Sequence, residues 1–450
     1  MSAESLSDRL FLRGSQGNPV RVGLVGAGKF GTMFLSQVRT TVGLQLNAVA
    51  DLDPANATAA LIRAGWHDDR IVEATTAGEL AKAAAGRQVG VTDDVVAMIN
   101  SGLDVLVEST GQVAAASRHV LAAIDAGLHV VMVTVEADVL VGTALARRAA
   151  AAGVVYSQAY GDQPALICEL VDWARTCGFT VTAAGKGTRH LPAFHESTPE
   201  TVFDHYGDEA DSLRRHGVNP RMFNSFLDGT KSAIEMAAVA NATGLRPQAG
   251  GLQFPPVGTD RLADVLKPVA EGGILEHGGT VEVVSCLETD GRPVANDLRW
   301  GVYVVVEAEH AYVQECFEQY GIPTDSSGRY AATWRPNHWI GLELGPSIAR
   351  AALDGQATGS PREHLADVVG CTKTDLKTGQ VVDGEGGYCV FGRLMSAEAC
   401  RQQSLVPLGL LEGGRLIRDL PRGTLVGFAD MELDTDPLLL TLRQETLAPA

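Results

Sequence analysis

The sequence predicts an α/β protein that opens with a doubly wound parallel sheet. Apolar runs of strand length alternate with amphipathic segments of helix length over residues 20–156, and a glycine-rich turn joins the first strand to the first helix. From about residue 360, short apolar runs are separated by Gly-rich turns, which is typical of a small all-β domain. Mixed helix and strand patterns between these parts indicate an α+β domain.

These patterns divide the chain into three expected domains. The first spans residues 1–160 and regains a helix near residues 338–355. The α+β domain spans residues 161–337, and the small β domain spans residues 360–440.

The elements of the first domain follow from apolar periodicity. Continuous or alternating apolar runs predict strands, and apolar residues spaced by three and four predict helices. The predicted strands are residues 20–26, 44–50, 88–91, 104–108 and 129–133; the predicted helices are residues 29–40, a segment from about Pro54, and residues 114–126 and 139–152. A polar insertion is expected over residues 67–87.

The regular alternation of predicted strands and helices ends after residue 156. A helix, a strand and a short loop are predicted at residues 164–177, 179–184 and 185–187, followed by a polar excursion or lid at 188–219. Residues 220–243 predict a long helical stretch that is broken near Asp228 and Gly229. Strands of a second sheet are expected at 281–285, 302–307 and 330–334, and the returning helix at 339–352.

Composition excludes several classes of function. The formal net charge of −18 disfavours nucleic acids and anionic membranes as partners. No apolar run reaches the roughly 18 residues of a membrane span, and residues 1–21 lack the apolar core of a secretion signal. The seven cysteines form no CxxC pair, which favours reduced thiols. We therefore expect a cytoplasmic protein that acts on a small molecule.

The turn after the first strand has the spacing GxGxxG. Its residues are Gly26, Ala27, Gly28, Lys29, Phe30 and Gly31. The first glycine permits a tight turn, the second lets the backbone approach a pyrophosphate, and the third lets the helix pack closely on the strand. The helix N-terminus offers N–H groups and a positive dipole end to phosphates. Because the motif links a strand to a helix and is followed by a strand that ends in an acid, it predicts a Rossmann domain that binds a nicotinamide dinucleotide.

Asp51 ends the second strand and indicates which nicotinamide cofactor is bound. A carboxylate there accepts hydrogen bonds from the ribose hydroxyls and repels a 2′-phosphate. No arginine follows within residues 52–57, so NAD(H) is favoured over NADP(H). The alternative is that Asp51 or Asp53 only caps the next helix, and Asp53 is the better cap candidate. A second cofactor contact is expected at the end of a later strand, at Ser109, Thr110 and Gly111.

Hydride transfer between a carbinol and nicotinamide also needs a group that exchanges the hydroxyl proton and stabilises the developing oxyanion. Lys186, between two glycines at a strand end, is the leading candidate for this role. Lys231 and Glu235 share a helix face at i, i+4 among apolar neighbours, where a buried charge needs a partner or a task. Functional use of this pair and a structural ion pair remain equal alternatives.

Three further polar residues are candidates on weaker grounds. Glu136, after the fifth strand, is expected at the nicotinamide crevice, whereas Asp138 is expected to cap the following helix. Asp162 is either a helix cap or a substrate ligand. Asn241 is expected to bind substrate hydroxyls or the helix end. The carboxylates are dispersed, so the need for a divalent metal stays open.

Several segments resemble one family over most of the chain. The matching segments are residues 18–28, 135–138, 161–162, 184–187 and 228–244, of which the last is the most specific. They resemble the homoserine dehydrogenase-like family with a C-terminal SAF domain, whose best-known branch is the 1-deoxy-D-xylulose 5-phosphate reductoisomerase-like enzymes. Residues 371–381, 407–411 and 418–425 resemble the SAF pattern, a β-clip module.

The resemblance implies an oxidoreductase on a small polyol or keto-sugar, phosphorylated or not. It implies a catalytic and dimerisation role for the α+β domain, and a homo-oligomer, either dimer or tetramer. It also places a substrate-binding lysine where this chain has Thr188, with Arg189 or His190 as the neighbouring group that could replace it.

The chain departs from the family pattern at three points. The reductoisomerase-like branch uses NADPH with basic residues after the second strand, whereas this chain has Asp51 and Asp53. Thr188 replaces the second lysine of Gly-Lys-Gly-Lys, and Val135 stands where homoserine dehydrogenases have a lysine. The leading hypothesis is a nicotinamide-dependent oxidoreductase with a reductoisomerase as its specific variant. The alternatives are a homoserine dehydrogenase-like activity and an inactive NAD-binding sensor or regulatory protein.

Overall fold

A computed structural model describes residues 5–215 and 218–448, so the first four residues of the predicted N-terminal domain lie outside the described part. The chain forms two compact units. Unit 1 contains Met1–Leu166, Trp339–Pro361 and Thr441–Ala450, and unit 2 contains Ile167–His338 and Arg362–Leu440. Residues 362–440 of the segment expected to form a separate small domain belong to unit 2, and the division into three domains stays a prediction.

The described helices and strands are numbered in chain order. The α-helices are α1 (Leu6–Ser15), α2 (Lys29–Val38), α3 (Pro54–Arg63), α4 (Ala77–Ala85), α5 (Val95–Ile99), α6 (Val113–Asp125), α7 (Val135–Ala151), α8 (Gln163–Thr176), α9 (Ala210–Arg215), α10 (Pro220–Leu227), α11 (Thr230–Thr243), α12 (Leu262–Val265), α13 (Ala311–Gln319), α14 (Gly345–Asp354), α15 (Ala397–Gln402) and α16 (Pro437–Leu447). The strands are β1 (Val20–Val25), β2 (Leu44–Ala50), β3 (Ile71–Glu73), β4 (Val89–Thr92), β5 (Val105–Glu108), β6 (His129–Met132), β7 (Tyr156–Gln158), β8 (Thr180–Thr188), β9 (Thr280–Ser285), β10 (Val302–Glu307), β11 (Tyr330–Arg335), β12 (Ala366–Thr372), β13 (Val390–Ser396), β14 (Arg415–Leu416) and β15 (Met431–Glu432).

Unit 1 is built on a seven-stranded sheet in the order β3-β4-β2-β1-β5-β6-β7. Every neighbouring pair is parallel, which confirms the predicted doubly wound α/β fold. The central strands are apolar because helices cover both faces of such a sheet. The returning helix α14 belongs to this unit and packs against β5, β6 and β7.

Two predictions about unit 1 are wrong. Residues 67–87, predicted to be a polar insertion, instead contain β3, an edge strand of the sheet, and α4. Thr76 and Glu79 form a capping box at the start of α4, a signal that the polar composition of the segment obscured. Helix α7 begins at Val135, so Asp138 lies inside the helix instead of capping it.

Unit 2 has a four-stranded sheet in the order β11-β10-β8-β9. The predicted loop at residues 185–187 is wrong, because these residues continue β8. A Cβ atom at Gly185 would lie 1.7 Å from the carbonyl oxygen of Glu282, and one at Gly187 would lie 1.9 Å from that of Leu298. Glycine occurs in this strand because neighbouring backbones approach it too closely for any side chain.

The C-terminal part of the chain contains the antiparallel pairs β12–β13 and β14–β15. It is not all β, because α15 follows β13 and α16 follows β15. The bend between α10 and α11 agrees with the predicted break, and Gly229 has a φ of +88° there. Along the described residues, no helix has both the length and the apolar character that a membrane crossing requires.

Asn241, a predicted substrate-binding residue, is used structurally. Its buried side-chain oxygen accepts the N–H groups of Leu365 at 2.8 Å and Ala366 at 2.9 Å. Its amide nitrogen donates to the carbonyl oxygen of Ala366 at 3.2 Å. These bonds attach the start of β12 to α11 and occupy both ends of the amide, which argues against a contact with substrate.

We predict that Asn241→Ala destabilises unit 2, because it leaves buried N–H groups without an acceptor. The expected loss is about 1–3 kcal/mol in the free energy of unfolding, measured by urea denaturation. Asn56→Ala, at an exposed position of α3, is the matched control and should change stability by less than about 0.5 kcal/mol. Equal effects of the two substitutions would contradict the structural role of Asn241.

Candidate functional site

The glycine turn after β1 shows why two of its glycines are required. Gly26 has a φ of +93°, and a Cβ atom there would lie 2.7 Å from the carbonyl oxygen of Ser109. A Cβ atom at Gly31 would lie 2.4 Å from the carbonyl oxygen of Gly26. The turn and the first part of α2 are therefore packed backbone against backbone.

Gly28 differs from the other two glycines of the turn. It is the N-cap residue of α2, no side chain caps the helix there, and a Cβ atom would meet no other atom within 4 Å. Lys29 is exposed and Phe30 is partly buried against the core of unit 1. The N-terminus of α2 thus opens onto free space, which is the arrangement that a phosphate group requires.

Asp51 lies directly after β2 and is bonded to the glycine turn. Its carboxylate accepts the N–H of Ala27 at 2.8 Å and that of Asp53 at 3.1 Å. Asp53 instead caps α3 by accepting the N–H of Ala55 at 3.0 Å. Asp51 is half-buried, and no basic residue follows in the exposed turn before α3.

The loop after β5 lies against the same turn. The hydroxyl of Ser109 donates to the carbonyl oxygens of Val25 at 2.8 Å and Gly26 at 3.0 Å. Strands β2, β1 and β5 are neighbours. From β1 the chain continues to β2 on one side, and from β5 it continues to β6 on the other side. The glycine turn, Asp51 and residues 109–111 therefore meet at a topological switch point, the position where open α/β sheets bind ligands.

Glu108, the last residue of β5, is a buried carboxylate at this edge, and it is not among the site residues predicted from the sequence. Its side chain is fully buried, and it accepts hydrogen bonds from the N–H and hydroxyl of Thr110 and from the hydroxyl of Thr134. The available signal was an acid at the end of an otherwise apolar run, where a carboxylate needs local donors.

Unit 2 pairs Lys186 with Glu235. Both side chains are buried, and the ammonium group of Lys186 donates to the carboxylate of Glu235. The sequence spacing instead suggested Lys231 as the partner of Glu235. Lys231 lies half-buried in the first turn of α11. Helix α11 thus contributes the carboxylate and β8 the lysine, a pairing that sequence separation hides.

A second buried carboxylate lies on the strand next to Lys186. Glu282 of β9 accepts the N–H groups of Val283 and Gln253 and the side-chain amide of Gln248. Burial raises the pKa of Glu282 to about 7, although these hydrogen bonds act in the opposite direction. The hydrogen bonds to Glu282 anchor the segment around Gln253 to the sheet.

Histidines of the predicted polar segment at residues 188–219 take part in buried aromatic contacts. His190 stacks on Phe254 with ring centroids 3.9 Å apart, and His195 stacks on Phe391 at 4.3 Å. Burial lowers the pKa of His190 to about 3, so its ring is neutral. His195 also hydrogen-bonds through Nδ1 to the carbonyl oxygen of Asp228 at 2.7 Å. Part of the segment at residues 188–219 is therefore buried in the core.

The remaining sequence candidates are dispersed. Glu136 lies half-buried in the first turn of α7 in unit 1. Asp162 is buried, and its carboxylate accepts the N–H of Gln163 at 2.9 Å. In unit 2, Thr188 ends β8, and Arg189 donates to the carbonyl oxygen of His205 at 3.1 Å. Among the described residues, no group of three or more His, Cys, Asp or Glu side chains is arranged to hold a metal ion.

One family of proteins is similar to this chain in sequence pattern. A family model described as the catalytic domain of the oxidoreductase DRL matches residues 161–344, less than half of the chain. No curated protein sequence matches the chain significantly.

Solved structures show a distant likeness. Myo-inositol dehydrogenase from Lactobacillus casei, with NAD(H) and myo-inositol, has 15% identity and a TM-score of 0.29, over 41% of this chain and 50% of that chain. The present chain thus spans half the length of that dehydrogenase. Scyllo-inositol dehydrogenase from Lactobacillus casei, with NAD(H) and scyllo-inositol, has 11% identity and a TM-score of 0.38, over 76% and 92%. A putative oxidoreductase from Klebsiella pneumoniae has 17% identity and a TM-score of 0.37, over 77% and 88%.

Such low TM-scores carry no argument about substrate or cofactor. The family match does bear on function, because residues 161–344 include both Lys186 and Glu235. The buried lysine–carboxylate pair therefore lies in a region similar to an oxidoreductase catalytic domain.

One buried carboxylate in unit 1 should make stability depend on pH. Asp138 accepts hydrogen bonds from the hydroxyl of Tyr156 at 2.8 Å and the amide of Gln158 at 2.9 Å. Burial raises its pKa from 3.8 to about 6. A raised pKa means that the native state binds the proton more tightly, so this stabilisation is complete below about pH 4 and is lost as pH rises through about 6.

We therefore predict that wild type loses stability relative to Asp138→Asn as pH rises from about 4 to about 7. The expected relative loss is about 1–3 kcal/mol, measured as the pH dependence of the urea midpoint of both proteins. Parallel pH profiles would show that Asp138 does not titrate in this range.

Proposed function

We propose that the chain is an NAD(H)-dependent oxidoreductase that acts on a CH–OH group of a small hydroxylated substrate. The observation that carries the proposal is the open N-terminus of α2 at Gly28, beside the close contacts of Gly26 and Gly31 and beside Asp51. This arrangement matches the needs of a dinucleotide pyrophosphate and its ribose.

The residues present fit such a cofactor. The backbone at Gly28 would receive the pyrophosphate, since no side chain occupies the space there. Asp51 would accept the ribose hydroxyls while its bond to Ala27 holds it in place. Its negative charge favours NAD(H) over NADP(H). When bound, the cofactor supplies the group that accepts or donates the hydride.

Lys186 and Glu235 are the proposed proton-transfer pair. Oxidation of a carbinol breaks its C–H bond with loss of a hydride and its O–H bond with loss of a proton, leaving a carbonyl. In that direction Nζ of Lys186 passes a proton to the Glu235 carboxylate and takes up the hydroxyl proton; in the reverse direction the Lys186 ammonium donates a proton to the carbonyl oxygen and Glu235 returns one to Nζ. The ammonium also stabilises the developing oxyanion, and burial strengthens this interaction.

More specific functions are tested by choice of substrate. A skeletal rearrangement before hydride transfer is the reductoisomerase variant that the sequence resemblance suggests; it predicts turnover of 1-deoxy-D-xylulose 5-phosphate with NADPH or NADH and a divalent metal. Oxidation of homoserine would favour the amino-acid alternative. NADH binding without turnover of any polyol, hydroxy acid or keto-sugar phosphate would favour the sensor. A cytoplasmic location, a homo-oligomeric state and a C-terminal SAF module are further parts of the proposal.

We predict that Gly28→Ala weakens NADH binding by about tenfold or more, because its methyl group enters the space proposed for the pyrophosphate. Fluorescence titration should show this loss without a change in melting temperature, since a Cβ atom there meets no protein atom within 4 Å. Gly78→Ala, which also adds a methyl group in open space, is the matched control. Wild type should bind NADH more tightly than NADPH, and failure to bind either would remove the proposed function.

Replacing Lys186 by Met should lower kcat by about 100-fold or more while NADH affinity is retained, because the proton donor is lost. The measurement is steady-state kinetics on the substrate that the panel identifies. Lys267→Met is the matched control, since Lys267 forms a buried ion pair with Asp325 at 2.7 Å in the same unit. Similar losses of kcat in both variants would mean that Lys186 is a structural residue.

A further inference from the structure

Glu108 lies at the edge of the sheet where the cofactor is proposed to bind. It ends β5, pairs in register with Val25 of β1 on one side and with Met132 of β6 on the other, and its side chain is 0% exposed. A carboxylate at this depth must be compensated by several hydrogen-bond donors, because an unpaired buried charge is strongly unfavourable.

The two oxygens of Glu108 are compensated separately. Oε1 accepts the N–H of Thr110 at 3.2 Å and its hydroxyl at 2.5 Å, whereas Oε2 accepts the hydroxyl of Thr134. Each hydroxyl oxygen then accepts a backbone N–H: that of Gln112 reaches Thr110 at 3.2 Å, and that of Gly111 reaches Thr134 at 3.0 Å.

This pattern determines the direction of the hydrogen bonds. A hydroxyl group has one hydrogen, and the oxygens of Thr110 and Thr134 already accept a backbone N–H. Each hydroxyl hydrogen is left to donate to Glu108, which accepts at both oxygens. A carboxylate can accept a hydrogen bond at each of its two oxygens. The amide of a glutamine has an NH2 group in place of one oxygen, and its hydrogens would face the hydrogen of one threonine hydroxyl.

The loop after β5 is therefore held from two sides. The hydroxyl of Ser109 attaches the loop to the glycine turn. Glu108 and the hydroxyls of Thr134 and Thr110 accept the backbone N–H groups of residues 110, 111 and 112, respectively. Gly111 has a φ of +69°, and a Cβ atom there would meet no atom within 4 Å. The loop thus combines a fixed backbone with open space beside Gly111.

We infer that Glu108 is a positioning residue that preorganises this loop for the nicotinamide end of the cofactor. The inference rests on the proposed NAD(H) binding. Glu108 acts through Thr110 and Thr134, and the surface it shapes is the backbone of residues 110–112. Replacing it should therefore affect the nicotinamide part of the ligand more than the ADP part, which depends on the glycine turn.

The test compares NADH with ADP-ribose, which lacks the nicotinamide ring. Glu108→Gln should weaken NADH binding in a fluorescence titration by about tenfold or more, the usual effect of disrupting hydrogen bonds to a buried charged group. ADP-ribose affinity, measured by calorimetry, should change less than about threefold. Asp104→Asn, which alters a half-buried carboxylate at the opposite end of β5, should leave both affinities unchanged.

Two variants of Thr134, Thr134→Val and Thr134→Ser, test the same hydrogen bonds in case Glu108→Gln does not fold. Valine removes the hydroxyl and should weaken NADH binding, whereas serine retains it and should restore the affinity to within about threefold of wild type. The inference is overturned if Glu108→Gln and Thr134→Val bind NADH as wild type does, or if they lose ADP-ribose to the same extent as NADH. A wild-type protein that binds neither ligand would instead overturn the proposed function, and the inference with it.

Discussion

The structure of unit 1 depends on a backbone contact at the glycine turn. The carbonyl oxygen of Gly26 lies only 2.4 Å from where residue 31 would carry a Cβ atom. This approach positions α2 against β1, and because the N-cap residue is Gly28, the first turn of the helix has no side-chain cap. Unsatisfied N–H groups and the helix dipole then point toward the switch point of the sheet, where they can compensate an anion.

Carboxylates complete this edge of the sheet by organising backbone rather than by presenting free charge. Asp51 accepts the N–H of Ala27, and Glu108 accepts the N–H and hydroxyl of Thr110. Each acid therefore fixes a loop that the strands alone would leave mobile. A preorganised loop binds its ligand with a smaller loss of conformational entropy, which is why we assign these two acids to the proposed cofactor site.

Lys186–Glu235, Lys267–Asp325 and Lys373–Asp228 are buried lysine–carboxylate pairs among the described residues of unit 2, and burial alone does not distinguish their roles. Desolvation of two charges costs several kcal/mol per ion, so a buried pair is weak evidence for added stability. Lys373 donates to Asp228 and to the carbonyl oxygens of Ser197 and Gly387, which ties distant segments together. Lys186 instead lies between two glycines of β8, in the region similar to an oxidoreductase catalytic domain. This setting, rather than the ion pair itself, supports a chemical role.

The sequence by itself determined the parallel sheet, the glycine turn, the break before α11 and the capping role of Asp53, because each depends on local periodicity or on residues a few positions apart. Tertiary structure decided what the polar side chains contact. Glu235 shares a helix face with Lys231 but bonds to Lys186, and Asn241 binds the backbone of residues 365 and 366. Asp138 lies inside α7 and bonds to Tyr156 and Gln158. The reason is physical: a buried polar group must take whichever partner the packed chain brings near, and sequence spacing records only the neighbours on its own element.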